Sequence, residues 1–439
     1  MNLKNKKILL GLYLVILGFL THFLFIWQPA EVVFDEVHYG KAVNGYLRGE
    51  YFFTGHPPLG VQLITLGAWL GGYQPHFNFE HIGEKFIDKS YIALRFMPNL
   101  AGSLIPLVVY IFAITLGIPT DLAFLIGIFL TFENAFLVQS HFILIDSFLI
   151  LFGFLGLILF FVARKRNYNW QYFILMSLFL AMSFSVKWSG LSFIIIAGFI
   201  ALWDLIILFR KKEHNIFKRF AKLFICFFVL PLLVYSLTFY IHFKLLPKSG
   251  PGDAFMSKEF RNGEKNFIGK FIELNKVNYY SNIKYLTASH PYSSKFFTWP
   301  LMTRPIFYWI NGNARIYLLG NPIIWWLSTL AVFLLIIFIF IKKFKDETAN
   351  ILLLGYALNL LPFISITTRT LFLYHYLSAL IFAIIILVYL ISKNRNSKII
   401  FAILLIFSLT AFLYFVPLTY GFNLTPQQYE NRVWLNSWR

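Results

Sequence analysis

The sequence predicts an all-α polytopic membrane protein, and three observations carry that prediction. The 439 residues are 59% hydrophobic and only 13% charged, whereas a soluble globular chain is about half apolar and a quarter charged. The apolar residues fall in blocks of roughly twenty, the length that crosses a hydrocarbon core of about 30 Å. Short basic tracts punctuate the blocks, as in loops held on one side of a membrane. The blocks are continuous runs of Leu, Ile and Phe, which excludes the alternating strands of a membrane barrel.

In chain order the predicted spans are 8–27, 94–117, 120–139, 141–163, 171–187, 190–209, 221–242, 322–341, 349–365, 372–391 and 399–417. The start "MNLKNKK" and the long stretch after it, with no small-residue cleavage site, read as an uncleaved first span. Eleven spans put "KNKK", "RKR" (164–166), "RKKEHNIFKR" (210–219), "KKFK" (342–345) and "KNRNSK" (393–398) on one side. The positive-inside rule makes that side cytoplasmic, with the C-terminus outside. Residues 1–439 then form a single transmembrane domain with two outer segments, 28–93 and 243–321. The first contains "LGVQLITLGAWLGGY", too short to span, which reads as an interfacial helix started by the turn His56, Pro57, Pro58. Neither outer segment shows the turn spacing of a separate β domain.

The net charge of +19 is accounted for by these tracts, so no nucleic-acid partner is expected; the partner is the bilayer. The single Cys226 allows no intrachain disulfide. His76, Glu80, His81 and Glu84 in "QPHFNFEHIGEKF" match no zinc spacing and read as a solvated loop. No metal and no cofactor are predicted, with a divalent ion left open.

Chemistry concentrates at the outer face. Asp35 and Glu36 follow the first span, between Phe34 and Val37 rather than in a polar tract. A carboxylate held against apolar surface has a raised pKa and becomes a better general base. Adjacent side chains diverge, so one acid is expected to face substrate and the other to hold a structural partner. Asp146 is an ionisable group inside an apolar block, which is costly unless it faces a cavity. It is grouped with Glu133, Asn134 and His141. Arg95, Lys187, Arg304 and Arg369 all fall near the same face. Together they suggest a site for a membrane-borne phosphate, for which arginine is the preferred ligand.

"FDEVHYGKAVNGYLRGEYFFTGHPPLG" resembles the first-loop signature of the protein O-mannosyltransferase family. The resemblance continues, in order, through "ALRFMPNLAGSLIPLVVY", "FENAFLVQSHFILIDSFL", "VKWSGL", "SHPYSSKFFTWPLMTRPIFYW", "LGNPIIWW" and "RTLFLYHYLSAL". It implies a GT-C fold and inverting transfer of mannose from polyprenyl-phosphate-mannose to Ser or Thr of a secreted or membrane protein. By the same resemblance Asp35 and Glu36 are the acidic pair, Arg95 is tied to activity, and the loop holding His290 lies near the donor. Many members have arginine where this chain has His141. The 243–321 segment is too short for the β-trefoil MIR domain of eukaryotic members, which implies the compact form of a bacterial plasma membrane. The expected mechanism has Asp35 taking the acceptor proton while the lipid phosphate leaves toward cations. Two rivals are a lipid-phosphate-sugar transferase acting on a glycolipid, as in aminoarabinose transfer, and a transporter. A transporter would gather its polar groups near the midplane.

Overall fold

The computed structural model describes residues 3–212, 215–282, 290–342, 346–366 and 369–439. Parts of two basic tracts, 213–214 and 343–345, lie outside the described residues, as do the threonines before Arg369.

The chain opens with α1 (Leu3–Phe23), the acidic turn, α2 (Glu36–Arg48) and α3 (Leu59–Leu70). Then come α4 (Tyr91–Thr115), α5 (Thr120–Thr131), α6 (Asn134–His141), α7 (Asp146–Lys165), α8 (Trp170–Val186) and α9 (Leu191–Arg210). A π turn at Ile225–Val229 joins α10 (Ile216–Phe224) to α11 (Leu230–Leu245) in one long span. Next are α12 (Lys258–Arg261), α13 (Phe267–Tyr280), β1 (Ile306–Asn311) and β2 (Ala314–Leu318). The chain ends with α14 (Pro322–Lys342), α15 (Glu347–Leu360), α16 (Leu377–Ser392), α17 (Ser397–Tyr420) and α18 (Pro426–Glu430).

Helices α4, α7 and α16 are the most buried and form the centre of the bundle, while α1, α11 and α17 turn most of their apolar residues outward. An outward apolar face needs a lipid solvent, because in water it would be a very large exposed patch. Helices α7 and α8 pack closely at Gly156, where a Cβ would run into the Leu180 side chain.

Among the described residues nine helices are long and apolar enough to cross a membrane. The eleven predicted spans correspond to these nine, to α8 with 17 residues, and to the pair α5–α6. That pair corrects the continuous span 120–139. It bends by 58° because Glu133 leaves helical geometry and accepts the Phe136 N–H as the N-cap of α6. The span 141–163 likewise starts later, at Asp146. Helix α3 begins at Leu59, directly after Pro58, and exposes Trp69 and Leu70 at its far end.

The second outer segment also holds a two-stranded β-hairpin within this predominantly helical fold. Strands β1 and β2 pair antiparallel around Gly312 and Asn313, with a register shift between Phe307 and Trp309. Its role is to brace the first outer loop. The Phe34 N–H donates to Tyr308 O at 3.2 Å. Trp309 Nε1 and Asn311 Nδ2 each donate to the Glu31 carboxylate at 2.8 Å.

Candidate active site

The acidic turn is held by its neighbours in a conformation that its sequence alone would not favour. Phe34 has φ +46°, a left-handed backbone that costs a non-glycine residue about 1–3 kcal/mol. Its ring stacks on Tyr308, centroids 4.1 Å apart and planes within 9°. Asp35 and Glu36 leave this turn in different directions.

Glu36 is fully buried. Its carboxylate accepts the N–H groups of Val33 (2.8 Å) and Ile143 (3.0 Å) and a fork from Arg95, Nε at 2.8 Å and Nη2 at 2.9 Å. Arg95 is equally buried, and its remaining donors reach the carbonyls of Pro29, Glu31 and Ile26. All five N–H groups of the guanidinium are therefore occupied. The pair bolts the first outer loop to α4 and to the segment before α7. Glu36 thus has the structural partner expected for one of the two acids, whereas Arg95, expected near a phosphate, has its donors engaged within the protein. Arg304 departs from expectation too. It donates to the carbonyls of Pro291, Ser437 and Arg439, and so straps the C-terminal segment to the His290 loop.

Asp35 caps no helix with its side chain and is half-buried. Burial pushes its carboxyl above the ordinary value; the charges of His38, Lys187 and His290 oppose that shift and Asp146 adds to it. Asp35 is thus within electrostatic reach of Asp146, Lys187 and His290. The His290 Nδ1 accepts the Tyr292 N–H, and its ring packs edge-on against Phe372.

Next to this turn lies a cavity of about 320 Å³. Its polar wall comprises His56, Asp146, Lys187, Arg369 and His375, and its apolar wall includes Leu149, Ile195, Leu358 and Phe363. Asp146 is the first residue of α7, and Lys187 follows α8 in extended geometry. Lys187 Nζ sits 2.8 and 2.9 Å from the two Asp146 oxygens, and Gln139 Nε2 donates to Asp146 at 2.8 Å. Tyr308 in turn donates to the Gln139 carbonyl, linking hairpin to cavity. Lys187 also lies 5.0 Å from the Tyr374 ring centre. Arg369 differs from the other arginines: its Nε is buried with no partner among the described residues. Asp146 and Lys187 offset one another, so among the described residues that line the cavity Arg369 is the cation without a carboxylate partner. Burial, with Lys187, Arg369 and His375 close by, holds the His56 imidazole well below its usual pKa and therefore neutral.

The arrangement can hold a singly charged anion carrying a long apolar tail, next to a carboxyl group primed to accept a proton. Gln139, Tyr308 and Tyr374 were not singled out by sequence reasoning. The signal available for Tyr374 and His375 was "YHY", a few residues after Arg369. His76, Glu80, His81 and Glu84 do not converge. His76 faces Asp88 at 3.4 Å, and Glu84 accepts the Glu80 N–H.

The bundle has the GT-C fold. The fold is similar to that of the Saccharomyces cerevisiae protein O-mannosyltransferase Pmt1-Pmt2 complex bound to the sugar donor. The TM-score is 0.92 at 21% identity, covering 100% of this chain and 93% of that one. It is more distantly similar to ArnT from Cupriavidus metallidurans bound to undecaprenyl phosphate, with TM-score 0.52 at 15% identity, covering 92% and 63%. The family described as dolichyl-phosphate-mannose-protein mannosyltransferase matches residues 12–247, and the C-terminal four TMM region of protein-O-mannosyltransferase matches 267–438. The chain belongs to this protein O-mannosyltransferase family. Dolichyl-phosphate-mannose–protein mannosyltransferase 4 of Candida albicans is 35% identical over 268 residues, 58% of this chain and 36% of the relative. The S. cerevisiae mannosyltransferase 1 is 35% identical over 248 residues, 54% and 30%. The chain thus aligns with about a third of the length of these curated relatives.

Proposed function

We propose that the protein moves mannose from a polyprenyl-phosphate-mannose lipid to Ser or Thr hydroxyls of secreted or membrane proteins, inverting the anomeric centre. The observation that carries this reading is the cavity: among the described residues Arg369 is a cation without a carboxylate partner, in a chamber with an apolar wall, next to the Asp35 turn. A polyprenyl phosphodiester has one negative charge and one long tail. Arg369 and Lys187 hold the phosphate, Asp146 fixes Lys187, and neutral His56 hydrogen-bonds the sugar or phosphate. Asp35 accepts the acceptor proton as the hydroxyl oxygen attacks the anomeric carbon. The C–O bond to the lipid phosphate breaks, and the cations stabilise the departing charge. The site faces the outside of a bacterial plasma membrane, with a cytoplasmic N-terminus and an outer C-terminus.

The test is purified protein with radiolabelled polyprenyl-phosphate-mannose and a Ser/Thr-containing peptide. Mannose should appear on the peptide in alkali-labile linkage. Label that stays in the lipid fraction, or passes to a glycolipid, would overturn the acceptor assignment.

A further inference from the structure

We propose that a small pocket beside the His56 turn seats an ordered water, and that Asn278 acts through this water to position the His56 imidazole. The proposal rests on the reading of the larger cavity as the donor site.

The pocket lies between the first outer loop and helices α11 and α13, lined by Thr54, His56, Pro58, His242, Leu274 and Asn278. It has about 10 Å³ of room for a water-sized atom, close to the minimum that one water needs. Phe52, Phe53 and Val61 complete an apolar wall, while the facing wall carries polar side chains. Asn278 is 1% exposed, and neither its side-chain nitrogen nor its side-chain oxygen has a partner among the described residues. His242 is 4% exposed, its Nδ1 is 2.7 Å from the Tyr46 hydroxyl, and its Nε2 has no partner. Both residues line this one small chamber, and a group that both donates and accepts would satisfy their three buried polar atoms; water does both whichever tautomer His242 adopts.

His56 connects this chamber to the reaction site, because it lines both the small pocket and the large cavity. The hydrogen bond it receives from the Thr54 hydroxyl goes to its backbone carbonyl and not to its ring. A neutral imidazole has one donor and one acceptor nitrogen. A water fixed on the pocket side would set which nitrogen is presented to the donor. The scaffold for this is already tied in place. Asn282, one helical turn beyond Asn278, donates to the Gly55 carbonyl at 2.7 Å, so this end of α13 is fastened to the residue before His56. Asn278 touches no reacting atom in this scheme and is a positioning residue.

The experiment is a double-mutant cycle in the full chain with His56→Gln, Asn278→Leu and Asn278→Ser, reading turnover, donor KM and melting temperature. Asn278→Leu fills the pocket and should lower kcat roughly tenfold, while Asn278→Ser leaves room for a second water and should stay near wild type. In the His56→Gln background Asn278→Leu should add no further loss. Equal losses in both backgrounds would make Asn278 ordinary packing and overturn the proposal. So would a high-resolution map with no water between Asn278 and His242. Full activity of His56→Gln would overturn the role of His56 in the donor site along with it. A loss at His56 with none at Asn278→Leu would overturn the water alone.

Discussion

At the scale of single residues, two neighbouring acids and three arginines separate by what surrounds them. Asp35 has the raised carboxyl and no capping bond, so Asp35→Asn should cut turnover by about 10²–10⁴-fold while donor binding and melting temperature hold. The pH profile follows from the sign of the shift. A base must be ionised, and burial moves that ionisation upward. The acid limb of kcat/KM should therefore fall above the ordinary carboxylate range, and an acid limb at the usual value would remove Asp35 from the role. The arginines separate under Arg→Lys. At Arg369 lysine keeps charge but loses the fork, so donor affinity should drop roughly tenfold or more with stability unchanged. At Arg95 the same change strands a buried carboxylate and several carbonyls, and should cost about 3 kcal/mol of stability. Equilibrium donor binding beside thermal unfolding distinguishes the two. The sequence placed all three arginines near one face. It could not say where each guanidinium points, because that depends on carbonyls such as Pro29 and Pro291, which come from other segments.

At the scale of elements, Glu133 and the hairpin show what one-dimensional periodicity hides. Residues 120–139 are apolar enough for a straight span, yet Glu133 interrupts them. Its side chain accepts the Phe136 N–H at 2.9 Å and the Asn321 N–H at 2.7 Å, tying the bend to the start of α14. Glu133→Ala would leave a buried N–H unsatisfied and remove a cap, a loss of about 2–4 kcal/mol. Glu133→Gln should retain most of the stability. Urea or thermal unfolding in detergent measures both, and an alanine variant as stable as wild type would mean that the bend is set elsewhere. The hairpin carries an Asn-Gly turn signal, "WINGNARIY". What concealed it is the register shift at Phe307/Trp309 together with burial on both faces of β2, which breaks the alternation a half-buried strand would show. Spans flanked by basic tracts were legible because lipid imposes length and composition on them. The hairpin answers only to its partner, the acidic loop.

At the scale of the whole molecule, orientation decides whether a lipid-borne sugar and an exported acceptor can meet at Asp35. The basic tracts are distributed so that the bent pair α5–α6 and the short helix α8 must each cross once for all of them to share a side. Arg164 of the 164–166 tract makes a fork to Asp204 near the end of α9 and also reaches Glu347 at the start of α15. The ends of α7 and α9 and the start of α15 are therefore at one level, which agrees with the side proposed for the basic tracts. The acidic turn, the hairpin and the C-terminal segment meet at the opposite level through Phe34–Tyr308 and Arg304–Ser437. Cysteine accessibility tests this directly, because Cys226 is buried and gives little background. Gln427→Cys, exposed on α18, should react with an impermeant thiol reagent in intact cells. Arg395→Cys, exposed between α16 and α17, should react only after the membrane is opened. The reverse pattern would put the Asp35 turn on the cytoplasmic side, out of reach of an exported acceptor. Labelling of both from outside would mean that α17 does not cross, and the shared side of the basic tracts would then be a coincidence of sequence.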